Sequence, residues 1–312
     1  MRKIILFVIM AIILLSSFWI VTGGGGRFCM TGAFICDRPT YADIKNFMDD
    51  YGKKPFFVLV FTDWGKFIDV LIIKDVYYTG CTLLVTWEPW DAQTKKGIDL
   101  DALARGADDV YISQFAEKLK SIKGPVFIRF AHEMNGNWYP WAGPGNKEKL
   151  IKCYRHIKEV FDRCGASNVK WVYSINWESV PKEGNDPLMY YPGDDYVDYV
   201  GIDGYNWGTS QDWSSWMGFR EIFSGVYNEV AKRLKKPIII TEFGSASSGG
   251  DKTRWIQGAF ADIKRMENIK GFIVFNVDKE ADWKFGINNA AGAAFREGIG
   301  QRYFKDDIKN FE

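Results

Sequence analysis

From about residue 30 onward, short apolar runs alternate with longer amphipathic stretches. The runs fall at 31–35, 55–61, 82–87, 125–130, 169–175, 196–202, 237–241 and 271–275. Each is apolar throughout rather than at alternate positions, which is the pattern of a strand buried on both faces in a parallel sheet. Helical patterns lie between them at 41–51, 108–122, 147–164, 219–234 and 253–266. In the third of these, Leu150, Ile151, Tyr154, Ile157, Val160 and Phe161 make the 3.6-residue stripe of a helix covering a sheet. Eight strand units with helices between them, over about 285 residues, predict an α/β protein folded as a single (β/α)8 TIM barrel. An open doubly wound sheet is the alternative, but no Gly-x-Gly-x-x-Gly follows the first strand. Residues 27–312 read as one barrel domain, with 177–195, rich in Pro, Gly and Asp, as a long loop.

The N-terminus breaks this rhythm. Arg2 and Lys3 precede an apolar stretch at 4–21, and glycines follow at 23–26. Residues 1–26 therefore read as a signal peptide or membrane anchor with a Gly-rich linker, and the protein as secreted or attached to the outer face of the membrane. Five cysteines with no C-x-x-C pair suggest buried thiols rather than a zinc site. With 40 basic and 39 acidic residues, the chain lacks the basic excess of a nucleic-acid binder. Aromatic residues are 16% of the chain, with 13 Trp. Many of these rings sit among Asn, Asp, Gly and Pro, which suits platforms for a neutral, polyhydroxylated ligand.

Catalytic barrels carry their sites at the C-terminal ends of the strands. Here those ends read Trp87-Glu88-Pro89-Trp90, Arg129-Phe130-Ala131-His132-Glu133, Asn176-Trp177, Asp203-Gly204-Tyr205-Asn206-Trp207, Thr241-Glu242-Phe243-Gly244 and Asn276-Val277-Asp278, with Trp283 shortly after. Glu133 and Glu242, on the fourth and seventh strands, would face each other across the mouth. Glycoside hydrolysis needs such a pair, one as general acid and one as nucleophile or base; about 5–5.5 Å between them means retention and about 6.5–9.5 Å inversion. Either Glu alone could be a solvated strand end. His132 adjoins Glu133 and would position it or bind sugar, whereas His156 reads as a solvated helix residue. Tyr205 could donate to a carboxylate nucleophile, and Arg129 inside the barrel needs Glu242 or Asp203 as its partner. No H-E-x-x-H or calcium-loop pattern is present, and no cofactor is expected.

These stretches resemble glycoside hydrolase family 26, in the clan of retaining (β/α)8 glycosidases. The resemblance rests on RFAHEMNGNWYPW, on Asp203-Gly-Tyr205-Asn-Trp207 and on ITEFGS at 240–245, with support from Trp87-Glu88-Pro89 and Trp283. It implies Glu133 as acid/base and Glu242 as nucleophile, with His132 and Trp138 on the sugar at the cleavage point. It also implies Tyr205 bonded to the nucleophile and Trp283 as an aromatic floor. Arg129, Asp203, Trp207, Trp87, Glu88 and Asn176 complete the expected site. The implied activity is endo-hydrolysis of a plant-type β-linked polysaccharide by a monomeric catalytic domain. β-1,4-Mannan leads, and mixed-linkage β-1,3-1,4-glucan and β-1,3-xylan are alternatives. The run Trp138-Tyr139-Pro140-Trp141 departs from the more aromatic run of many family mannanases. A carbohydrate-binding barrel without catalysis is the reading from another class.

Overall fold

The computed structural model describes residues 27–307. Eight parallel strands form the barrel: β1 Gly32–Phe34, β2 Phe57–Asp63, β3 Thr82–Glu88, β4 Val126–Phe130, β5 Val169–Asn176, β6 Tyr199–Asn206, β7 Ile238–Ser245 and β8 Ile269–Phe275. They pair in sequence order, and β8 closes the ring on both β7 and β1. The doubly wound alternative is thereby excluded. Two short strands, Cys29–Met30 and Phe304–Lys305, extend the sheet beside β8. The anchor or signal expected at 4–21 lies outside the described residues.

The helices are α1 Tyr41–Tyr51, α2 Val70–Tyr78, α3 Leu100–Ala104, α4 Asp109–Lys120, α5 Lys147–Cys164, α6 Phe219–Arg233, α7 Lys252–Arg265 and α8 Ala290–Gly300. Three of them, α2, α3 and α8, escape the sequence pattern. The α8 segment AAGAAFREGIG carries Gly at positions that lower helix propensity, and its helix forms because Ala291, Ala294, Phe295 and Ile299 are buried. Between β5 and β6 only two 3-10 turns, Pro187–Tyr190 and Asp194–Tyr196, stand where a helix would be. This matches the loop expected at 177–195.

Two apolar layers follow from the strand alternation. Phe57, Leu59, Leu84, Phe127, Val172, Ile239 and Ile273 fill the barrel interior. The opposite strand faces pack against the helices, including Ile157, Val160 and Phe161 of α5. The interior apolar plug ends just below the strand C-termini, where polar side chains take over. All five cysteines are free thiols, and Cys29, Cys81 and Cys153 are buried.

Candidate active site

Arg129 is the centre of the polar layer. It is fully buried, on an inward position of β4 beside Thr86 of β3. Its Nη1 donates to both oxygens of Asp203 at 2.7 Å, its Nε and Nη2 donate to Thr86 Oγ1, and Nη2 also reaches Glu242 Oε1. A buried guanidinium needs this completeness, because an unpaired charge there would be costly. Ser174 Oγ donates to Asp203 Oδ2 at 3.1 Å and shares a hydrogen bond with Thr241 Oγ1 at 2.8 Å. Thr86 and Ser174 were not expected in the site, and Thr241 was expected only as part of the seventh strand's end. Their signal was a hydroxyl within an otherwise apolar strand.

Glu242 reaches the mouth through an irregularity in β7. The pairing of β7 with β6 shifts register between Ile240 and Glu242, and that with β8 shifts between Ile240 and Phe243. A bulge of this kind re-aims a side chain. Here it allows Thr241 to bond Ser174 while Glu242 meets Arg129 and Tyr205. Tyr205 Oη donates to Glu242 Oε2 at 2.5 Å, so each carboxylate oxygen has its own donor. The sequence pattern ends β6 and β7 at Ile202 and Thr241. Both strands run four residues further, so Asp203, Tyr205 and Glu242 sit within the ladder rather than on loops.

Glu133 is placed differently. β4 ends at Phe130, and Ala131 and Glu133 then adopt positive φ angles of 49° and 54°. Non-glycine residues pay for this conformation, and such strain clusters at functional positions. The Glu133 amide donates to Ser174 O at 3.0 Å, which fixes the turn. Glu133 is 9% exposed, and burial holds its carboxyl protonated well above the usual carboxyl range, with the charges of Asp203 and Glu242 adding to the effect. Trp138 Nε1 donates to its Oε2 at 2.7 Å. A Cβ on Gly136 would lie 2.5 Å from the Trp138 ring, so glycine makes room for that indole.

The other expected residues divide into those in the cleft and those behind it. Glu88 is buried and accepts from Trp90 Nε1 at 3.1 Å; burial pushes its carboxyl up to about 7. His132 is buried and bonded through Nε2 to Tyr139 Oη at 3.1 Å, and its basicity is depressed by burial and then by Arg129, so the ring is neutral. Asn176 donates to Glu178 O at 2.8 Å, holding its own loop. Trp283 is buried, its ring 4.7 Å from Tyr205 and 4.8 Å from Trp207, so it backs the phenol that donates to Glu242.

Trp87 is a correction. It points away from the cleft, stacked on Trp64 and Phe115 at 4.6 and 4.5 Å, with Nε1 donating to Tyr111 Oη. With Thr86 facing inward, alternation sends Trp87 out toward the helices. Of the three rings in the 138–141 run, Trp138 alone is exposed. Trp141 is buried, donates to His132 O at 2.9 Å and stacks on Tyr139 at 4.2 Å, so it props the histidine. Asn135 was missed as a brace; it accepts from the Asn176 amide and donates to Asn176 O. His156, expected to be solvated, pairs with Asp109 at 2.5 Å.

A closed barrel with a buried carboxyl of raised pKa just after β4 and an arginine-held carboxyl on β7 defines the class of two-carboxylate glycosidase barrels. The model of glycosyl hydrolase family 26 matches residues 43–297, and the chain belongs to that family. The chain is 39% identical over 309 residues to Endoglucanase H of Acetivibrio thermocellus, covering 96% of this chain and 33% of that protein. It is 27% identical over 219 residues to a mannan endo-1,4-beta-mannosidase of Bacillus subtilis, covering 66% of this chain and 53% of the relative. The chain thus spans about a third and about half of these two relatives. A beta-mannanase from a symbiotic protist of the termite Reticulitermes speratus, solved with gluco-manno-oligosaccharide, superposes with a TM-score of 0.64. It is 17% identical, covering 92% of this chain and 90% of that one, and so shares the fold.

Proposed function

We propose that this chain hydrolyses internal linkages of a β-linked plant-type polysaccharide by double displacement with retention. Glu133 gives its proton to the glycosidic oxygen as Glu242 attacks the anomeric carbon, forming a covalent glycosyl ester. Glu133, then a carboxylate, takes a proton from water as that water attacks the same carbon and releases Glu242. The observation that carries this reading is the contrast between the two groups. Glu133 is kept protonated by burial, while Glu242 accepts from a guanidinium and a phenol that fix its plane. Neutral His132, braced by Tyr139 at its Nε2 and by Trp141 at its carbonyl, does not compete for the proton.

Two backbones have specific support. The mannan reading draws on the family resemblance and on the likeness to mannan endo-1,4-beta-mannosidases. The β-glucan reading draws on the longer and closer likeness to Endoglucanase H, and carries more weight for that reason. Reducing-sugar release from barley-type glucan, glucomannan and galactomannan, by the parent and by Glu242→Ala, separates these. Release from glucan but not galactomannan selects the glucanase. No release from any of them or from β-1,3-xylan overturns the enzyme in favour of a binding barrel.

Export fits a polymeric substrate, which cannot enter a cell. The apolar stretch at 4–21 behind Arg2 and Lys3 supports a secreted or surface-attached enzyme. Fractionating cells that express the whole chain tests this, and activity confined to the cytoplasm would overturn it.

A further inference from the structure

We propose that Trp213 is a stacking platform for a sugar ring bound beyond the cleavage point, which extends the cleft along the loop after β6. This rests on the glycosidase reading. A chain of rings leads outward from the nucleophile: Tyr205 packs on Trp283, Trp283 on Trp207 at 4.8 Å, and Trp207 on Trp213 at 5.4 Å. Exposure rises from Trp283 outward. Trp283 is 1% exposed and Trp213 72%, among the largest values for any big apolar side chain described. Such an indole gives the core almost nothing, so packing does not explain it.

The loop holding Trp213 is fastened rather than free. Buried Asn206 accepts from the amides of Gly208 and Met217, at 3.1 and 2.9 Å, and so pins both ends. Ser214 Oγ donates to Gly208 O at 2.8 Å, closing the turn from within. Thr209 donates its amide to Ser248 O and shares a hydroxyl bond with Ser248 at 2.6 Å, tying the loop to the segment that follows β7. Gly208 has φ 54°, and a Cβ there would lie 1.8 Å from Ser248 O, so this fit requires glycine. An indole held this way loses little freedom when a ligand covers it. The only charged residue in 207–218 is Asp212, so the surface suits a neutral pyranose and not a phosphate or a uronate. The C–H face of a pyranose packs against an indole as other apolar faces do.

The test uses Glu242→Gln protein, which leaves oligosaccharides intact, with calorimetric titration of cellohexaose, mannohexaose and the matching disaccharides. Adding Trp213→Ala is expected to weaken the better hexasaccharide about tenfold. The disaccharide and the thermal midpoint are expected to stay unchanged, and Trp213→Phe to recover most of the affinity. Equal hexasaccharide binding with and without Trp213 overturns the platform and leaves the glycosidase reading standing. An equal loss for the disaccharide overturns its distal position. If the Glu242→Gln protein with Trp213 intact binds neither hexasaccharide, both readings fall.

Discussion

Tyr205 and Glu242 are joined by a hydrogen bond of 2.5 Å that runs between neighbouring strands, from β6 to β7. The half-buried phenol packs on Trp283, so the donor is held before substrate arrives. A hydrogen bond to a charged group contributes about 1.5–3 kcal/mol. Tyr205→Phe is therefore expected to lower kcat by roughly ten- to a hundredfold, with the thermal midpoint little changed. Steady-state kinetics on a soluble β-glycan check this, and an unchanged kcat would show that the bond does not orient the nucleophile.

Arg129 answers for structure as well as chemistry. Replacing it with Met leaves Asp203 and Glu242 facing each other without their shared cation, and breaking a buried pair costs about 3–5 kcal/mol. Urea denaturation should show that loss. Arg129→Lys is expected to recover little, because an ammonium cannot reach Thr86, Asp203 and Glu242 together. A stable lysine variant would show that the fork geometry is dispensable.

Glu133 links activity to pH through a raised carboxyl pKa. Activity needs the protonated form, so kcat/KM should fall as pH rises through the folded-state value. The Trp138 hydrogen bond favours the carboxylate and lowers that value, so Trp138→Phe should move the alkaline limb upward in pH. A downward move would contradict the assignment.

The same shift acts on stability. Because the folded form binds this proton more tightly than the unfolded chain, the contribution is complete below about pH 4.3 and is lost as pH rises through the folded value. Glu133→Gln removes the penalty. Its thermal midpoint should match the parent at low pH and exceed it increasingly toward neutrality, while activity is abolished. Parallel midpoints across that range would argue against a buried, protonated Glu133.

Trp87 shows where sequence reading stops. Its place beside Glu88 at a strand end looks like a sugar contact, but alternation turns it toward Phe115 and Phe161. Trp87→Ala should cost about 3–5 kcal/mol of stability by emptying that space. KM for the fraction that folds should be unchanged, and a raised KM would return Trp87 to the cleft.

Eight strands and the Glu133–Glu242 pair were legible because strand runs are apolar throughout and carboxylates at their ends stand out. Three helices were not, because α2 and α8 are too apolar or too rich in small residues to show a stripe, and α3 is five residues long. The strained turn at Ala131 and Glu133 has no signature in residue type, since neither is glycine. The bulge that aims Glu242 was hidden for a related reason: it lies in register between strands, not in composition.

In the proposed reaction Glu242 forms the bond to the sugar while Glu133 supplies the proton. Incubating the protein with a fluorosugar glycoside that stalls the glycosyl ester, followed by peptide mass mapping, tests it most directly. The account predicts one added sugar on Glu242, within the peptide carrying Ile238–Ser245. A label on Glu133 or Glu88, or release of the inverted anomer with no labelled peptide, would contradict it.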